Sequence, residues 1–165
     1  LIVLVSLLDI TLVSQLPWGL ARISLLPVVL VFVFLLGNLR LAAWWVLIGG
    51  FMLELFNFGV YGFHYIGLFC SLVIINILFE RVMTNRSLYS ISVVTAGSLL
   101  TYDLVLLVQH TLENNHMVSL RMFVTEELTS IAFGIIISLI FFYILNLLTR
   151  RLRPVFLEKF NLKYD

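Results

Sequence analysis

Three acids stand inside long apolar runs of this chain: Asp9, Glu54 and Asp103. At the centre of a membrane helix an acid costs about 2.5–3.5 kcal/mol, whereas a Leu or Phe returns only about 0.3–0.6 kcal/mol. Each acid therefore offsets roughly six apolar neighbours, and side chains of this kind face a bundle interior rather than lipid. Gly50, Glu54 and Asn57 recur at spacings of four and three, so a small residue, a carboxyl and an amide share one helical stripe that faces protein. Such a stripe suits a polar pocket or a partner-docking surface; it also suits proton transfer through buried carboxyls, or a Glu54 that merely fixes helix packing. Packing or docking is the favoured expectation, because no interrupted helix of the kind transporters build accompanies the acids.

His64, His110 and His116 could be drawn with Glu113 as a metal site. Their mixed loop origin and the absence of an HxxxH spacing argue against one, so no metal and no cofactor are expected. Cys70 is the only cysteine, which excludes a disulfide or a cysteine zinc site within one chain. The chain holds no GxSxG, no HExxH and no paired-Asp motif of the phospholipid-forming kind, and the expectation is a protein that is not an enzyme.

The elements that carry these residues follow from composition. The chain has 165 residues, 62% of them hydrophobic and 12% charged, with a mean hydropathy of +1.12. This is the balance of an integral membrane protein. Six spans of about 20 residues would use about 120 residues and leave too little for a soluble catalytic or nucleic-acid-binding domain. Six apolar runs are present: Leu1 to Leu16, Ile23 to Gly37, Leu41 to Phe58, Phe63 to Phe79, Ile91 to Val108 and Leu128 to Leu148. The reading is an all-α bundle of six transmembrane helices over residues 1–149, followed by a basic cytoplasmic tail over 150–165. The opening Leu-Ile-Val, with no Met and no basic leader, suggests that the first helix is incomplete.

Within this frame the second run is short unless its helix starts at Leu20 or earlier, near Pro17, and a kink is expected at Pro27. The uncharged Gly59-Val60-Tyr61-Gly62 stretch supplies a tight reversal between the third and fourth spans. With the N-terminus inside, Arg40, Arg81, Arg86, Arg150, Arg151, Arg153, Lys159 and Lys163 fall on the cytoplasmic side and only Arg22 and Arg121 outside. That asymmetry predicts an N-in, C-in topology, with Asp9, Glu54 and Asp103 in the outer half of the membrane. Trp18, Trp44 and Trp45 are expected in the headgroup belts. The segment from His110 to Thr125 is read as a surface connection, and Thr125 as a helix cap followed by Glu126 and Glu127, which complement the helix dipole. Ser130, Gly134 and Ser138 make a small-residue stripe for close helix packing within the fold, with Ser92 and Ala96 as a shorter one. Phe156 and Phe160, one turn apart, suggest a short interfacial helix in the tail, or a partner contact. Asp103 could pair with Arg22 or Arg121, and the sequence leaves that choice open.

The stretch from Ile48 to Gly67, Ile-Gly-Gly-Phe-Met-Leu-Glu-Leu-Phe-Asn-Phe-Gly-Val-Tyr-Gly-Phe-His-Tyr-Ile-Gly, resembles the family of the rod-shape-determining membrane protein MreD. In that family a glycine-bearing helix carries an acid a turn later, then a Gly-containing reversal, a Gly-x-His-like start to the next helix and a basic loop. Gly50, Glu54, Gly59, Gly62 and His64 occupy those places, with Arg81 and Arg86 in the loop; Glu54 stands where the family usually has Asp. The resemblance implies a non-enzymatic subunit of the bacterial cell-elongation machinery in the cytoplasmic membrane. It would bind the single-span protein MreC and couple it to the RodA glycosyltransferase and its transpeptidase partner, with no nucleic acid involved. It also implies a fold similar to the six-helix substrate-binding subunits of energy-coupling-factor transporters, which supplies the alternative of a vitamin-like ligand held near the outer face. Against that alternative, Leu1 to Leu16 contains no alanine, so no Ala-x-x-x-Ala docking stripe is present there.

Overall fold

In the computed structural model the described residues are 2–11, 24–36, 39–56, 62–82, 88–114, 125, 127–144 and 147, and among them every regular element is an α-helix. The helices are α1 (Ile2–Thr11), α2 (Leu25–Leu36), α3 (Leu39–Phe56), α4 (Phe63–Val82) and α5 (Leu88–Asn114), followed by α6 (Glu127–Ile144). Four of them, α3 to α6, are long and apolar enough to cross a membrane. This is a multi-pass helical membrane protein.

The sequence of α2, Leu-Leu-Pro-Val-Val-Leu-Val-Phe-Val-Phe-Leu-Leu, has no polar side to show to water. A helix apolar all round belongs inside. Accordingly Leu26, Pro27, Val28, Leu30, Val31 and Phe32, which cover most of its circumference, are buried. α2 touches α1, α3, α4 and α5, and it meets α6 through Val28 against Gly134 and Phe32 against Phe141, ring centres 5.6 Å apart. The others surround it in the order α1, α3, α4, α5, α6.

The outer helices are two-faced in a different way. On α3 the buried residues Ala42, Trp45, Val46, Gly49, Gly50, Leu53 and Glu54 step by threes and fours along one stripe. Trp44, Leu47, Phe51 and Leu55 form an equally apolar stripe on the opposite side and are exposed. α4 repeats the pattern with Ile66, Phe69, Val73 and Ile77 outside. Large apolar side chains facing outward at helical period are what a lipid-facing surface requires.

Four expectations are corrected. Pro27 is the third residue of α2, whose non-helical neighbour is Ser24. In a first turn there is no amide-to-carbonyl bond for proline to break, so it helps to start the helix instead of kinking it. A start at Leu20 or earlier falls among residues 12–23, outside the described residues, but the described helix begins at Leu25. Trp45 is only 6% exposed and belongs to the core, while Trp44 is 61% exposed; neighbouring side chains on a helix diverge by about 100°, so one of an adjacent pair turns inward. α5 runs on through His110 to Asn114, so the surface connection after Val108 begins as two further helical turns. Trp18, residues 115–124 and the tail from 148 onward lie outside the described residues.

Candidate functional site

Helices that run alternately up and down bring the C-terminal ends of α1 and α3 beside the N-terminal ends of α2, α4 and α6, with the later part of α5 at the same level. At that end lie Asp9, Ser24, Glu54, His64, Tyr102, Asp103, Glu127 and Ser130.

Helix starts are the reason two of the acids are there. The first amides of a helix have no internal acceptor, and no water is at hand inside a membrane protein to replace one. Asp9 Oδ1 accepts the Leu25 amide at 2.9 Å, and the Leu26 amide reaches the same carboxyl. Pro27 has no amide hydrogen, so the open donors of the first turn of α2 are accounted for by one side chain from α1.

α4 starts on the same principle. Gly62 has φ of 103°, a backbone conformation that side chains other than glycine's rarely tolerate. The Gly62 carbonyl accepts the Ile66 amide at 3.0 Å and closes the first turn. A glycine at this position has no side-chain oxygen with which to cap the helix. Glu54, from the last turn of α3, supplies it: Oε1 accepts the His64 amide at 2.9 Å. A carboxylate at a helix N-terminus also complements the dipole. Glu54 is 7% exposed and Gly50, one turn earlier, is buried. A Cβ on Gly50 would lie 2.7 Å from the Tyr65 ring, so glycine there lets Tyr65 lie across α3 beside the carboxyl. Phe51, Glu54, Leu55, Gly62 and Tyr65 line a shallow open groove between α3 and α4.

The centre of the layer is Tyr102, 1% exposed. His64 Nδ1 and the Tyr102 hydroxyl are 2.9 Å apart, and the Ser24 side chain stands at the same hydroxyl. A phenol can both donate and accept, so the imidazole and the serine together can use both of its bonding capacities. The carboxyls of Asp9, Asp103 and Glu54 are all near enough to act on it electrostatically. On the far side Ser130 Oγ donates a long hydrogen bond, 3.4 Å, to Asp103 Oδ2, and Glu127 lies near enough to act on the same carboxyl electrostatically.

The structure thus brings Gly50, Glu54, Gly62, His64 and Asp103 to one end of the bundle. Asn57, Gly59, His116, Arg22 and Arg121 lie outside the described residues. His64 is buried and His110 is exposed on α5; among the described residues no three His, Cys, Asp or Glu side chains are grouped to hold a metal ion. Ser130, Gly134 and Ser138 are buried. A Cβ on Gly134 would overlap Leu99 Cδ1 of α5 and come within 3.7 Å of Val28 of α2, so this stripe is where α6 meets the other two. Ser92 and Ala96 are half-buried, and the small residues at the α4–α5 contact include Ser71, whose hydroxyl donates to the Ser98 carbonyl at 2.9 Å. Glu127, expected beside the start of a helix, is the first residue of α6 and is 8% exposed, near Asp103.

Sequence reasoning missed Tyr102 and Ser24. A signal for Tyr102 exists, since Ile91, Val94, Thr95, Ser98, Leu99 and Tyr102 step by threes and fours and are all buried. No comparable periodicity marks Ser24, which precedes its helix. Comparison of the chain with protein-family profiles, curated proteins and solved structures found no match.

Proposed function

We propose that the protein is a non-enzymatic, six-span scaffold subunit of the bacterial cell-elongation complex, of the MreD type, set in the cytoplasmic membrane with both termini inside. Its polar end receives the membrane segment of a single-span, MreC-like partner, and through that partner it serves the cell-wall glycosyltransferase and transpeptidase. The observation that supports this reading is the groove between α3 and α4. Phe51 and Leu55 stand exposed on its wall, and between them Glu54 spends one oxygen on the His64 amide. Among the described residues its other oxygen takes no hydrogen bond, and in this reading it receives a donor from the docking helix. Apolar packing around one buried polar contact is how membrane helices recognise one another.

The alternative, a vitamin-like ligand held by a transporter subunit, draws support from the polar layer around Tyr102. Those groups are largely spent on one another, however, through Asp9 to α2, Glu54 to α4 and Tyr102 to His64. The test is gentle solubilisation from the native membrane with wild type, Phe51→Ala and Leu55→Ala, followed by mass spectrometry of co-purifying proteins. Recovery of a single-span periplasmic protein that either variant loses supports the scaffold. Recovery of paired ATPases with a second multispan subunit, or a thermal shift with a vitamin-like compound, favours the transporter subunit and overturns it.

A further inference from the structure

The groove between α3 and α4 lies at one end of two span-length helices. Glu54 stands in the last turn of α3, and Gly62 immediately precedes α4, so the groove sits at the depth where a bilayer passes from acyl chains to headgroups. Its volume is about 370 Å³, within the range of sites that hold small molecules. One wall continues into the lipid-facing surface, where Leu47, Phe51 and Leu55 form a single exposed stripe at helical spacing. An occupant that fits both parts has a polar head for Glu54 and an apolar tail for the stripe.

Glu54 is the one charged residue in the lining, between the rings of Phe51 and Tyr65. One of its oxygens accepts the His64 amide, and among the described residues the other takes no hydrogen bond. The Lys and Arg side chains among the described residues are Arg40 and Arg81, at the opposite ends of α3 and α4. An anionic head would meet a like charge here with no cation to offset it. A primary ammonium brings three N–H donors for the open oxygen, charge-assisted on both sides, and a cation also rests favourably against aromatic rings. A choline head has the charge but no N–H to give.

We propose that the groove is a binding site for the primary ammonium of an aminophospholipid, phosphatidylethanolamine, with Glu54 as acceptor, Phe51 and Tyr65 beside the cation, and one acyl chain along the Leu47–Phe51–Leu55 stripe. The inference rests on the reading of this groove as the docking surface: the lipid occupies it in the subunit alone, and a docking helix takes over the Glu54 oxygen.

The experiment is native mass spectrometry of the full chain in detergent, titrated with phosphatidylethanolamine, its mono- and dimethylated forms, phosphatidylcholine and phosphatidylglycerol of identical acyl chains. In the wild type, affinity is expected to fall along the methylation series, with phosphatidylethanolamine about tenfold tighter than phosphatidylcholine. Glu54→Gln keeps an oxygen for the His64 amide and puts an NH2 group where the open oxygen was; it should bind all members of the series alike, while helicity by circular dichroism checks its fold. Phe51→Ala should weaken every member, and Leu128→Ala, at an exposed position on α6, should change none. Equal binding of phosphatidylethanolamine and phosphatidylcholine by the folded wild type overturns the proposal, as does a preference that persists in Glu54→Gln or one for phosphatidylglycerol. Absence of the preference while a single-span partner is still recovered from the native membrane overturns the lipid site alone. The preference together with recovery of paired ATPases supports the lipid site and overturns the scaffold instead.

Discussion

Replacing Glu54 by Leu or by Gln separates the two things its carboxyl does for α4. The Glu54 oxygen lies 2.9 Å from the His64 amide, and the pair is buried. Leucine removes the acceptor and strands a donor at the start of a membrane helix, a loss of about 1–3 kcal/mol. Glutamine keeps a carbonyl oxygen at the same reach and gives up only the charge, which at a helix N-terminus is worth about 0.3–1 kcal/mol. Leucine also makes α3 more comfortable in lipid, but that gain goes to the inserted, undocked helices and so adds to the loss of bundle stability rather than offsetting it. The assay is reversible unfolding of the inserted protein in bicelles, with equilibrium constants compared across wild type, Glu54→Gln and Glu54→Leu. A tenfold change corresponds to about 1.4 kcal/mol, so Glu54→Leu is expected to lower the folding constant by roughly five- to 150-fold and Glu54→Gln by less than about fivefold. Equal stability of wild type and Glu54→Leu would refute the capping argument. Equal losses in both variants would assign the effect to charge alone.

Asp9→Leu should behave like Glu54→Leu, with a loss of about 1–3 kcal/mol, and Asp9→Asn should recover most of it, because the Leu25 amide needs an acceptor; hydrogen exchange at Leu25 and Leu26 reads the effect locally, and unchanged protection in Asp9→Leu contradicts it. Gly134→Ala places a methyl against buried Leu99 and should cost about 1–3 kcal/mol in the same unfolding assay; a more stable variant would mean that α5 and α6 have room to spare. Tyr102→Phe removes the hydroxyl bonded to His64 and should cost about 1 kcal/mol, and a double-mutant cycle with His64→Leu should show coupling of about 0.5–1.5 kcal/mol. Strictly additive losses would deny that contact any energetic weight.

The sequence by itself determined that the chain is helical and lives in a membrane, because apolar runs of span length leave no other way to satisfy the backbone. It also determined that Glu54 shares a protein-facing stripe with Gly50, since burial on α3 follows the helical period without interruption from Ala42 to Glu54. Period and cost together placed Asp9, Glu54 and Asp103 inside, but they said nothing about what each would touch. Only the tertiary structure decided that Asp9 and Glu54 cap the starts of other helices, because such a cap joins residues 16 or 10 positions apart whose meeting depends on how the connections fold back. It likewise decided that α2, the shortest apolar run after the first, is the central helix, and that Tyr102 rather than an acid sits at the middle of the polar layer. Helical periodicity specifies which face of a helix is buried; which other helix lies against that face is fixed by side-chain fit across the bundle, at Gly50 against Tyr65 and Gly134 against Leu99, and fit of that kind is a property of pairs of positions that no single run of sequence contains.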